Sequence, residues 1–463
     1  MAGHAAPAGE TIAGPAVVHP AARLRGEIRV PGDKSISHRA LMLALVARGE
    51  SRIEGAGDGA DVRSTAGIAR ALGADVEAAV GADGRAAYRV VSPGIDAFTT
   101  PAGDLDCGNS GTSLRLFAGI LAGAALTATL DGDDSLRRRP VARIIEPLRA
   151  MGATLTAHNQ HSLPPLTVTG HPALRAVDWT TPVPSAQVKS AILLAGLRAD
   201  GTTRVHERVA TRDHTERMLR ARGVIVRSAR DGDAGAVIEI DGGVPVRAMD
   251  ERVPGDPSAA AFWLVAGSIH PDADLSLPSV GINPTRRAVI DLLLRMGADV
   301  TERPVGRDTG GTTTASVSDG GGEPIADLTV RSSELRALDV SPAEVARAID
   351  EIPILCLAAT QAAGRTTIRG AGELRNKESD RLAGIAVGLR ALGARVEIEG
   401  DDLRIDGPTP LAGAATDSLD DHRLAMTFAI AGLIATGPTT VGRPRSAAIS
   451  YPGFFQDLER IRA

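Results

Sequence analysis

Six segments of the chain start with polar residues and continue as Ala- and Leu-rich runs that mostly close at a glycine. Because these runs are apolar on nearly all sides, the pattern predicts helices that are buried around their whole circumference. We expect each closing glycine to occupy the position after the helix, where a left-handed backbone is common. The segments are residues 34–49, 109–123, 185–201, 256–267, 350–364 and 421–437.

A second pattern lies between these segments: a stretch with one apolar face, stopped by a glycine and followed by alternating apolar and polar residues. It predicts an amphipathic helix and then a strand with one solvent-exposed face, as in Leu403-Arg404-Ile405. A sixth copy corresponds to residues 454–462. In the first five copies of this second pattern, the amphipathic helix is stopped by Gly73, Gly152, Gly223, Gly297 and Gly393.

Together the two patterns form a unit of helix, strand, amphipathic helix and strands that repeats about six times. A chain of 463 residues exceeds one ordinary core, so we predict two similar domains of three units each. The predicted fold class is α/β, with buried helices and outward-facing sheets. A second Val-Pro-Gly-Asp at residues 253–256 repeats residues 30–33 and marks the predicted break. One domain would comprise residues 1–32 and 254–463, and the other residues 33–253.

Two segments are expected to lie outside these units. Residues 306–322 are rich in Gly, Thr and Ser, which predicts an exposed insertion loop. Residues 1–20 lack the basic start and long apolar core of a signal peptide, so we expect a loose tail. No apolar run in the sequence reaches the length of a transmembrane helix.

The densest polar motif precedes the first buried run. Pro31-Gly32 predicts a turn, and Asp33 or Ser35 can cap the helix that follows. Lys34 and Arg39 then lie near a helix N-terminus, where free N–H groups already attract anions. An ordinary solvated first turn is the alternative, but two cations and several hydroxyls within nine residues favour an anion site.

Polar clusters also precede later buried helices, so helix N-termini from different repeats can converge on one cleft. Residues 109–115 offer N–H groups, hydroxyls and a close-approach glycine, although a plain N-cap has the same pattern. Of the three arginines at residues 137–139, at most one is expected to enter a site. Ser185 and Gln187 supply a hydroxyl and an amide at the third helix start.

The fifth and sixth helix starts bring acids beside cations. Asp350-Glu351 is a candidate general base, or else a helix cap. Lys377 and Arg381 are four residues apart, so we expect them to share a helical face, with a solvated ion-paired helix as the alternative. Asp421-His422-Arg423 opens the sixth helix, where a lone histidine is more often structural than catalytic.

Composition narrows the ligand class. The net charge of −5 and the 2% aromatic content argue against nucleic acid as a partner. Only three of the 51 basic residues are lysines, and Lys34 and Lys377 fall in polar motifs while Lys189 has no evident role. Cys107 and Cys356 form neither a disulfide framework nor a zinc pattern. We therefore predict small substrates with several negative charges and acid–base chemistry without a metal or a cysteine nucleophile.

These motifs identify the resemblance. The chain is similar to the 5-enolpyruvylshikimate-3-phosphate synthase family from about Val30 to its last residues. The resemblance implies two domains of three repeated units each, an inside-out arrangement of helices and sheets, and a cleft active site that closes on its substrates. The matching motifs are residues 31–39, 108–112, 139–140, 184–190, 211–216, 350–351, 377–381 and 421–423.

By resemblance, the enzyme would transfer the enolpyruvyl group of phosphoenolpyruvate to the 5-hydroxyl of 3-phosphoshikimate, a shikimate-pathway reaction that glyphosate inhibits in sensitive members. Asp350 would accept the hydroxyl proton, and Glu378 with Lys34 would protonate the enol. Binding of 3-phosphoshikimate would use Lys34, Ser35, Arg39, Ser185, Ala186, Gln187, Arg212, Asp350 and Lys377. Binding of phosphoenolpyruvate would use Lys34, Asn109, Gly111, Thr112, Arg139, Gln187, Arg381 and Arg423.

The resemblance further implies a cytoplasmic monomer without metal or organic cofactor, acting on small molecules and not on nucleic acid or membranes. Two features depart from many members: residues 449–452 contain no lysine, and Ala186 and Arg212 line the sugar site. The alternatives are the sister transferase for UDP-N-acetylglucosamine, which carries a cysteine on a mobile loop, and a non-catalytic anion-binding protein. Neither Cys107 nor Cys356 lies in such a loop, and the dense acids argue against a scaffold.

Overall fold

The computed structural model describes residues 14–232, 234–305 and 322–462, and these fall into two units. The 32–254 unit comprises the described residues within Gly32–Pro254 and Ala315–Glu323. The 255–463 unit comprises those within Met1–Pro31, Gly255–Thr314 and Pro324–Ala463. The chain therefore changes unit inside both copies of Val-Pro-Gly-Asp. The insertion loop predicted at residues 306–322 lies outside the described residues except for Gly322.

Helices of two kinds alternate along the chain. Those that open the repeats, such as Pro257–Ile269, are buried at nearly every position, because their sequences have no polar face. Those that follow within each repeat are amphipathic and bury one face. The helices are α1 Lys34–Val46, α2 Ala60–Ala71, α3 Gly111–Ala122, α4 Ala142–Ala150, α5 His158–His161 (one irregular turn), α6 Ala186–Gly196, α7 His214–Ala221, α8 Pro257–Ile269, α9 Ala288–Arg295, α10 Pro342–Arg347, α11 Ile352–Gln361, α12 Arg381–Ala391, α13 His422–Ile434 and α14 Phe454–Arg460.

The amphipathic helices α2, α4, α7, α9 and α12 end in the same way. After α2, the N–H of Gly73 donates to the carbonyl of Arg70, and the N–H of Ala74 donates to the carbonyl of Ala69. This pair of bonds is the Schellman motif, and it repeats after the other four helices. The prediction that a glycine stops each of these amphipathic helices is confirmed, and all five glycines are left-handed, with φ between 84° and 110°.

For the buried helices, the prediction that the closing glycine follows the helix with a left-handed backbone is wrong. α1 ends at Val46, and its C-cap Ala47 is already extended. Gly49 instead has φ 125° at the first residue of a strand, and Gly267 lies inside α8. α1, α8, α11 and α13 pass directly into an extended C-cap residue, so no left-handed glycine directly follows them. The C-cap of α3 is Gly123 with φ −94°, and that of α6 is Leu197 with φ −56°, so neither is left-handed.

In the part of the chain that the structure describes, the strands form five four-stranded sheets, one three-stranded sheet and a two-stranded sheet of β10 and β12. The strands are β1 Ala16–Val18, β2 Leu24–Glu27, β3 Gly49–Ala56, β4 Asp75–Val80, β5 Ala86–Ser92, β6 Leu105–Asp106, β7 Thr127–Asp131, β8 Thr154–Ala157, β9 Leu163–Thr169, β10 Leu174–Arg175, β11 Asp178–Thr180, β12 Ala199–Asp200, β13 Thr202–Glu207, β14 Val226–Asp231, β15 Gly235–Asp241, β16 Glu251–Arg252, β17 Ala273–Gly281, β18 Asp299–Pro304, β19 Ile325–Arg331, β20 Asp339–Val340, β21 Gly364–Ile368, β22 Arg395–Glu399, β23 Asp402–Gly407, β24 Ala415–Asp417 and β25 Thr439–Gly442.

The four-stranded sheets share one order of pairing. In the first, β3 follows the buried helix α1 and pairs parallel with the short strand β16. On its other side β3 pairs antiparallel with β5, which pairs with β4. The orders are β16-β3-β5-β4, β6-β7-β9-β8 and β11-β13-β15-β14 in the 32–254 unit. The 255–463 unit contains β2-β17-β19-β18 and β20-β21-β23-β22. Three repeats of helix and sheet are therefore present in each unit once the sixth sheet is counted.

The sixth sheet is completed by the start of the described chain. Ala16 pairs with Val441 and Val18 with Thr439, so β1 is the antiparallel neighbour of β25, with β24 on the other side. The prediction of a loose tail over residues 1–20 is therefore wrong for the strand residues, while residues 1–13 lie outside the description. The signal was missed because three residues are too short to show alternation.

Each unit contains one continuous apolar core built from its buried helices and the inner faces of its sheets. The predicted α/β fold with buried helices and half-exposed sheets is confirmed, because the strands alternate buried and exposed positions. The consequence for function is that polar helix starts lie at the edge of each core. Among the described residues, no helix is long and apolar enough to cross a membrane.

Candidate active site

The start of α1 forms the first charged cluster. The carboxylate of Asp33 accepts the N–H of Ile36 at 2.9 Å, so Asp33 is the helix cap and Ser35 is not. The Lys34 ammonium forms an ion pair with Asp61, and its side chain is 43% exposed. A half-exposed ammonium at a helix N-terminus is available to an incoming anion.

Arg39 lies one turn further along α1 and is fixed from several directions. Its Nε donates to Thr215 Oγ1 at 2.7 Å, and a terminal nitrogen donates to Ser190 Oγ at 3.0 Å. The other terminal nitrogen donates to the carbonyl of Ser35 at 2.9 Å. Burial lowers the pKa of Arg39 to about 10, while Glu216 is the largest opposing influence, so the guanidinium remains charged at neutral pH.

A second cluster joins α3 and α6. Arg115 donates to Gln187 Oε1 at 2.8 Å and to the carbonyl of Pro140 at 3.1 Å. The Gln187 amide donates in turn to Thr112 Oγ1 at 3.0 Å. Burial, reinforced by Arg143 and Arg139, lowers the pKa of Arg115 to about 10. The amide of Gln187 is therefore held in one orientation by partners on its two ends.

Arg139 and Gly111 border this cluster. Arg139 donates to Asn109 Oδ1 at 2.5 Å and to the Asn109 carbonyl at 3.2 Å. A Cβ placed on Gly111 would lie 2.6 Å from an Arg115 terminal nitrogen and 3.6 Å from one of Arg139. Glycine therefore allows two guanidinium groups to approach the helix N-terminus. The neighbouring Arg137 turns away and pairs with Asp131 at 2.6 Å.

Three further predicted residues lie in the 32–254 unit. Ser185 caps α6 by accepting the N–H of Val188, and Ala186 is the first residue of that helix. Arg212 is partly buried in the segment before α7, near enough for its charge to contribute to lowering the pKa of Arg39. Lys189, the one lysine for which the sequence indicated no role, is buried and binds Glu207 and Glu216.

In the 255–463 unit, one carboxylate lies beside two cations. The Lys377 ammonium is 3.7 Å from Asp350 Oδ1, and the Arg381 guanidinium is 3.5 Å from the same oxygen. The prediction that Lys377 and Arg381 share a helical face is wrong, because α12 begins at Arg381 and Lys377 precedes it in an extended conformation. Both cations nevertheless contact the same acid.

Arg381 connects this acid to two others. Its terminal nitrogen lies 2.5 Å from Glu378 Oε2, and its Nε lies 2.7 Å from Asp421 Oδ2. Burial lowers the pKa of Arg381, but Glu378, Asp421 and Asp350 outweigh that effect and raise it overall. Asp421 was not among the predicted site residues, although its place before Arg423 in a polar helix start was a usable signal.

Arg423 belongs to a chain of buried and partly buried charges that the sequence did not reveal. It lies 3.8 Å from Glu351 Oε1, and the Ser258 hydroxyl donates to that same oxygen. Arg286 donates to Ser258 Oγ at 2.9 Å and to Asp256 Oδ1 at 3.1 Å. Arg423 Nε is buried and makes no hydrogen bond to any described residue.

Comparisons with known proteins agree with one family throughout. The family model described as EPSP synthase (3-phosphoshikimate 1-carboxyvinyltransferase) matches residues 18–458. A 3-phosphoshikimate 1-carboxyvinyltransferase from Gloeobacter violaceus is 51% identical over 446 residues, which cover 96% of this chain and 98% of the relative. One from a Methylobacterium strain is 45% identical over 459 residues and 98% of both chains.

Solved structures of an EPSP synthase and of a related transferase have the same fold as this chain. The EPSP synthase of Acinetobacter baumannii superposes with a TM-score of 0.87 at 38% identity, covering 97% of this chain and 98% of that one. The enolpyruvyl transferase NikO of Streptomyces tendae superposes with a TM-score of 0.73 at 23% identity, covering 97% of each chain. The second likeness supports the fold alone.

Proposed function

The chain belongs to the EPSP synthase family, and we propose that the two sets of charged residues described above together carry out this family's reaction. The reaction transfers the enolpyruvyl group of phosphoenolpyruvate to the 5-hydroxyl of 3-phosphoshikimate and releases phosphate. It belongs to the shikimate pathway to chorismate and the aromatic amino acids. The match of the family model over residues 18–458 is the observation that carries this conclusion.

We propose that 3-phosphoshikimate binds chiefly to the 32–254 unit. Its phosphate is a doubly charged anion that suits the helix N-termini and fixed guanidinium groups of this unit. Arg39 supports this role because three hydrogen bonds hold its fork before substrate arrives. The proposed set is Lys34, Ser35, Arg39, Ser185, Ala186, Gln187 and Arg212, joined by Asp350 and Lys377 of the other unit.

Phosphoenolpyruvate carries a carboxylate and a phosphate, so it needs several cations on different sides. Arg139 and Gly111 support its binding, because the glycine leaves room beside two guanidinium groups. Arg381 and Arg423 supply two further cations from the 255–463 unit. The proposed set is Lys34, Asn109, Gly111, Thr112, Arg139, Gln187, Arg381 and Arg423.

The proposed chemistry is an addition followed by an elimination. Asp350 accepts the proton of the 5-hydroxyl as its oxygen attacks C2 of phosphoenolpyruvate, while Glu378, with Lys34, donates a proton to C3. The resulting tetrahedral intermediate then loses a proton from the new methyl group, and phosphate leaves to restore the enol double bond. The geometry supports Asp350 as base, since two cations position its carboxylate and its side chain remains 24% exposed to reactants.

The decisive experiment measures phosphate release from phosphoenolpyruvate in the presence of 3-phosphoshikimate, of UDP-N-acetylglucosamine, or of no acceptor. We expect release with 3-phosphoshikimate alone, and formation of an enolpyruvyl ether in equal amount. Release with UDP-N-acetylglucosamine would instead assign the sister activity. No release with either acceptor, from folded protein, would contradict the catalytic assignment altogether.

The cysteines support the choice between these acceptors. Cys107 and Cys356 are both free and buried. Burial raises the pKa of Cys356 to about 12 and raises that of Cys107 as well, so neither is a reactive thiolate at neutral pH. We also propose that the protein acts as a cytoplasmic monomer, which light scattering on the purified protein and fractionation of cells would test.

A further inference from the structure

The 32–254 unit contains a buried cluster of three charges outside the proposed substrate-binding sets. The ammonium of Lys189, on α6, lies 2.8 Å from Glu207 and 2.8 Å from Glu216. The side chains of all three residues are at most 2% exposed. We call these residues the buried triad, and its net formal charge is −1. Burial disfavours the Lys189 ammonium, but the two carboxylates outweigh burial and raise its pKa.

The triad holds the segment that carries Arg212. The Thr211 hydroxyl donates to Glu207 Oε1 at 2.5 Å, and the Thr211 N–H lies 3.3 Å from Glu207 Oε2. Lys189 Nζ also donates to the Thr211 carbonyl at 3.4 Å. Three groups of Thr211 are therefore bound by two members of the triad, directly before Arg212 in the chain.

The lysine suits this position for a simple chemical reason. An ammonium has three N–H donors, and here it has three acceptors: Glu207, Glu216 and the Thr211 carbonyl. A planar guanidinium is larger and cannot direct its donors to three sides of one atom. This accounts for a lysine at position 189 in a chain that otherwise uses arginine almost everywhere.

The triad also adjoins Arg39. Lys189 and Glu216 are the chain neighbours of Ser190 and Thr215, the two hydroxyl residues to which Arg39 donates. The charge of Glu216 raises the pKa of Arg39 against burial, whereas the charge of Arg212 lowers it. The positive charges of Arg39 and Arg212 thus lie near each other, and the excess negative charge of the triad offsets their repulsion.

We propose that the buried triad positions Arg212 and Arg39 for 3-phosphoshikimate, through Thr211 on one side and through its net negative charge on the other. Its members do not touch substrate and are therefore positioning residues. The inference rests on the proposed function, in which Arg39 and Arg212 bind the phosphorylated sugar. It predicts that a loosened triad weakens binding of that substrate and leaves the binding of phosphoenolpyruvate unchanged.

Thr211→Val tests this link, because it removes the hydroxyl that Glu207 binds while keeping the shape of the side chain. We expect the KM for 3-phosphoshikimate to rise at least about fivefold, with the KM for phosphoenolpyruvate and kcat within about twofold of wild type. Thr211→Ser keeps the hydroxyl and should remain near wild type. If the Thr211→Val protein does not fold, Thr211→Ala is measured in its place.

Thr203→Val is the matched control. Thr203 is fully buried in β13 of the same unit, and its hydroxyl makes no hydrogen bond to a described residue. It should leave both KM values unchanged. Equal KM values for wild type and Thr211→Val, or equal rises for both substrates, would overturn the positioning role. Wild-type protein that neither binds nor converts 3-phosphoshikimate would instead show that the proposed function has failed.

Discussion

Lys377 Nζ lies 3.7 Å from Asp350 Oδ1, and Arg381 lies 3.5 Å from the same oxygen. Lys377 follows the short helical turn Gly372–Asn376, Arg381 is the first residue of α12, and the acid precedes α11. One carboxylate oxygen is thus positioned by two groups that the proposed function assigns to two different substrates. This arrangement supports the proposal that Asp350 acts as the base between the two substrates.

Asp350→Asn should nearly abolish turnover while leaving substrate binding largely intact, because the amide keeps the shape but accepts no proton. A positioned general base accounts for about 10²–10⁴-fold in rate. Steady-state kinetics and direct binding of 3-phosphoshikimate should be measured together. A folded variant with near wild-type kcat would remove Asp350 from the proposed mechanism.

Glu351→Gln should weaken the binding of phosphoenolpyruvate. The change removes the negative charge 3.8 Å from Arg423 but keeps an oxygen that can accept the Ser258 hydroxyl. A loss of about 1 kcal/mol, which is about a fivefold rise in the KM for phosphoenolpyruvate, is expected for a mostly buried ion pair. The KM for 3-phosphoshikimate is the internal control. If both values rise equally, Glu351 acts on the fold and not through Arg423.

The local parts of the fold and site could be predicted from sequence, because they depend on neighbouring residues. The buried helices follow from continuous apolar runs, and the end of α2 before Gly73 follows from the residues of its last turn. Two pairs could not be predicted: Arg381 with Asp421, and Arg39 with Thr215. Each joins elements that are distant in the chain, so periodicity carries no information about it.

One local inference also failed, for a related reason. The spacing of Lys377 and Arg381 fits a helical face, but Asp380 caps α12 and so starts the helix at Arg381. A polar run contains several residues that can cap, and the sequence does not show which one does. The same ambiguity at α1 was resolved in favour of Asp33 over Ser35 only by the structure.

Two glycines in different backbone conformations give stability predictions of opposite sign. Gly393 has φ 93°, and a Cβ there would meet nothing closer than 3.9 Å, so Gly393→Ala costs only backbone strain, about 1–2 kcal/mol. Gly67 lies inside α2, exposed and with open space around a Cβ, so Gly67→Ala should stabilise by about 0.5–1 kcal/mol. Urea unfolding should show a lower free energy of unfolding for Gly393→Ala and a higher one for Gly67→Ala. A stabilising Gly393→Ala would contradict the need for a left-handed backbone at that position.

Gly111→Ala should separate glyphosate from phosphoenolpyruvate. The family is a glyphosate target, and residue 111 of this chain is a glycine that we place in the phosphoenolpyruvate-binding set. A Cβ at position 111 would lie 2.6 Å from a terminal nitrogen of Arg115, so that guanidinium must shift and strain its bond to Gln187. Glyphosate is longer than phosphoenolpyruvate, so we expect it to fit less well beside the displaced guanidinium. The poorer fit should cost glyphosate about 1–3 kcal/mol of binding free energy.

We therefore expect a glyphosate-sensitive wild type, and an inhibition constant that rises by a larger factor than the KM for phosphoenolpyruvate in Gly111→Ala. Gly67→Ala adds the same methyl group in an exposed helix and should change neither constant. Because the atom that the new Cβ would meet is the end of the flexible Arg115 side chain, Arg115 can yield by moving. Equal factors for inhibitor and substrate would mean that the methyl group displaces Arg115 without narrowing the pocket. An insensitive wild type would place Gly111 outside the pocket that glyphosate occupies.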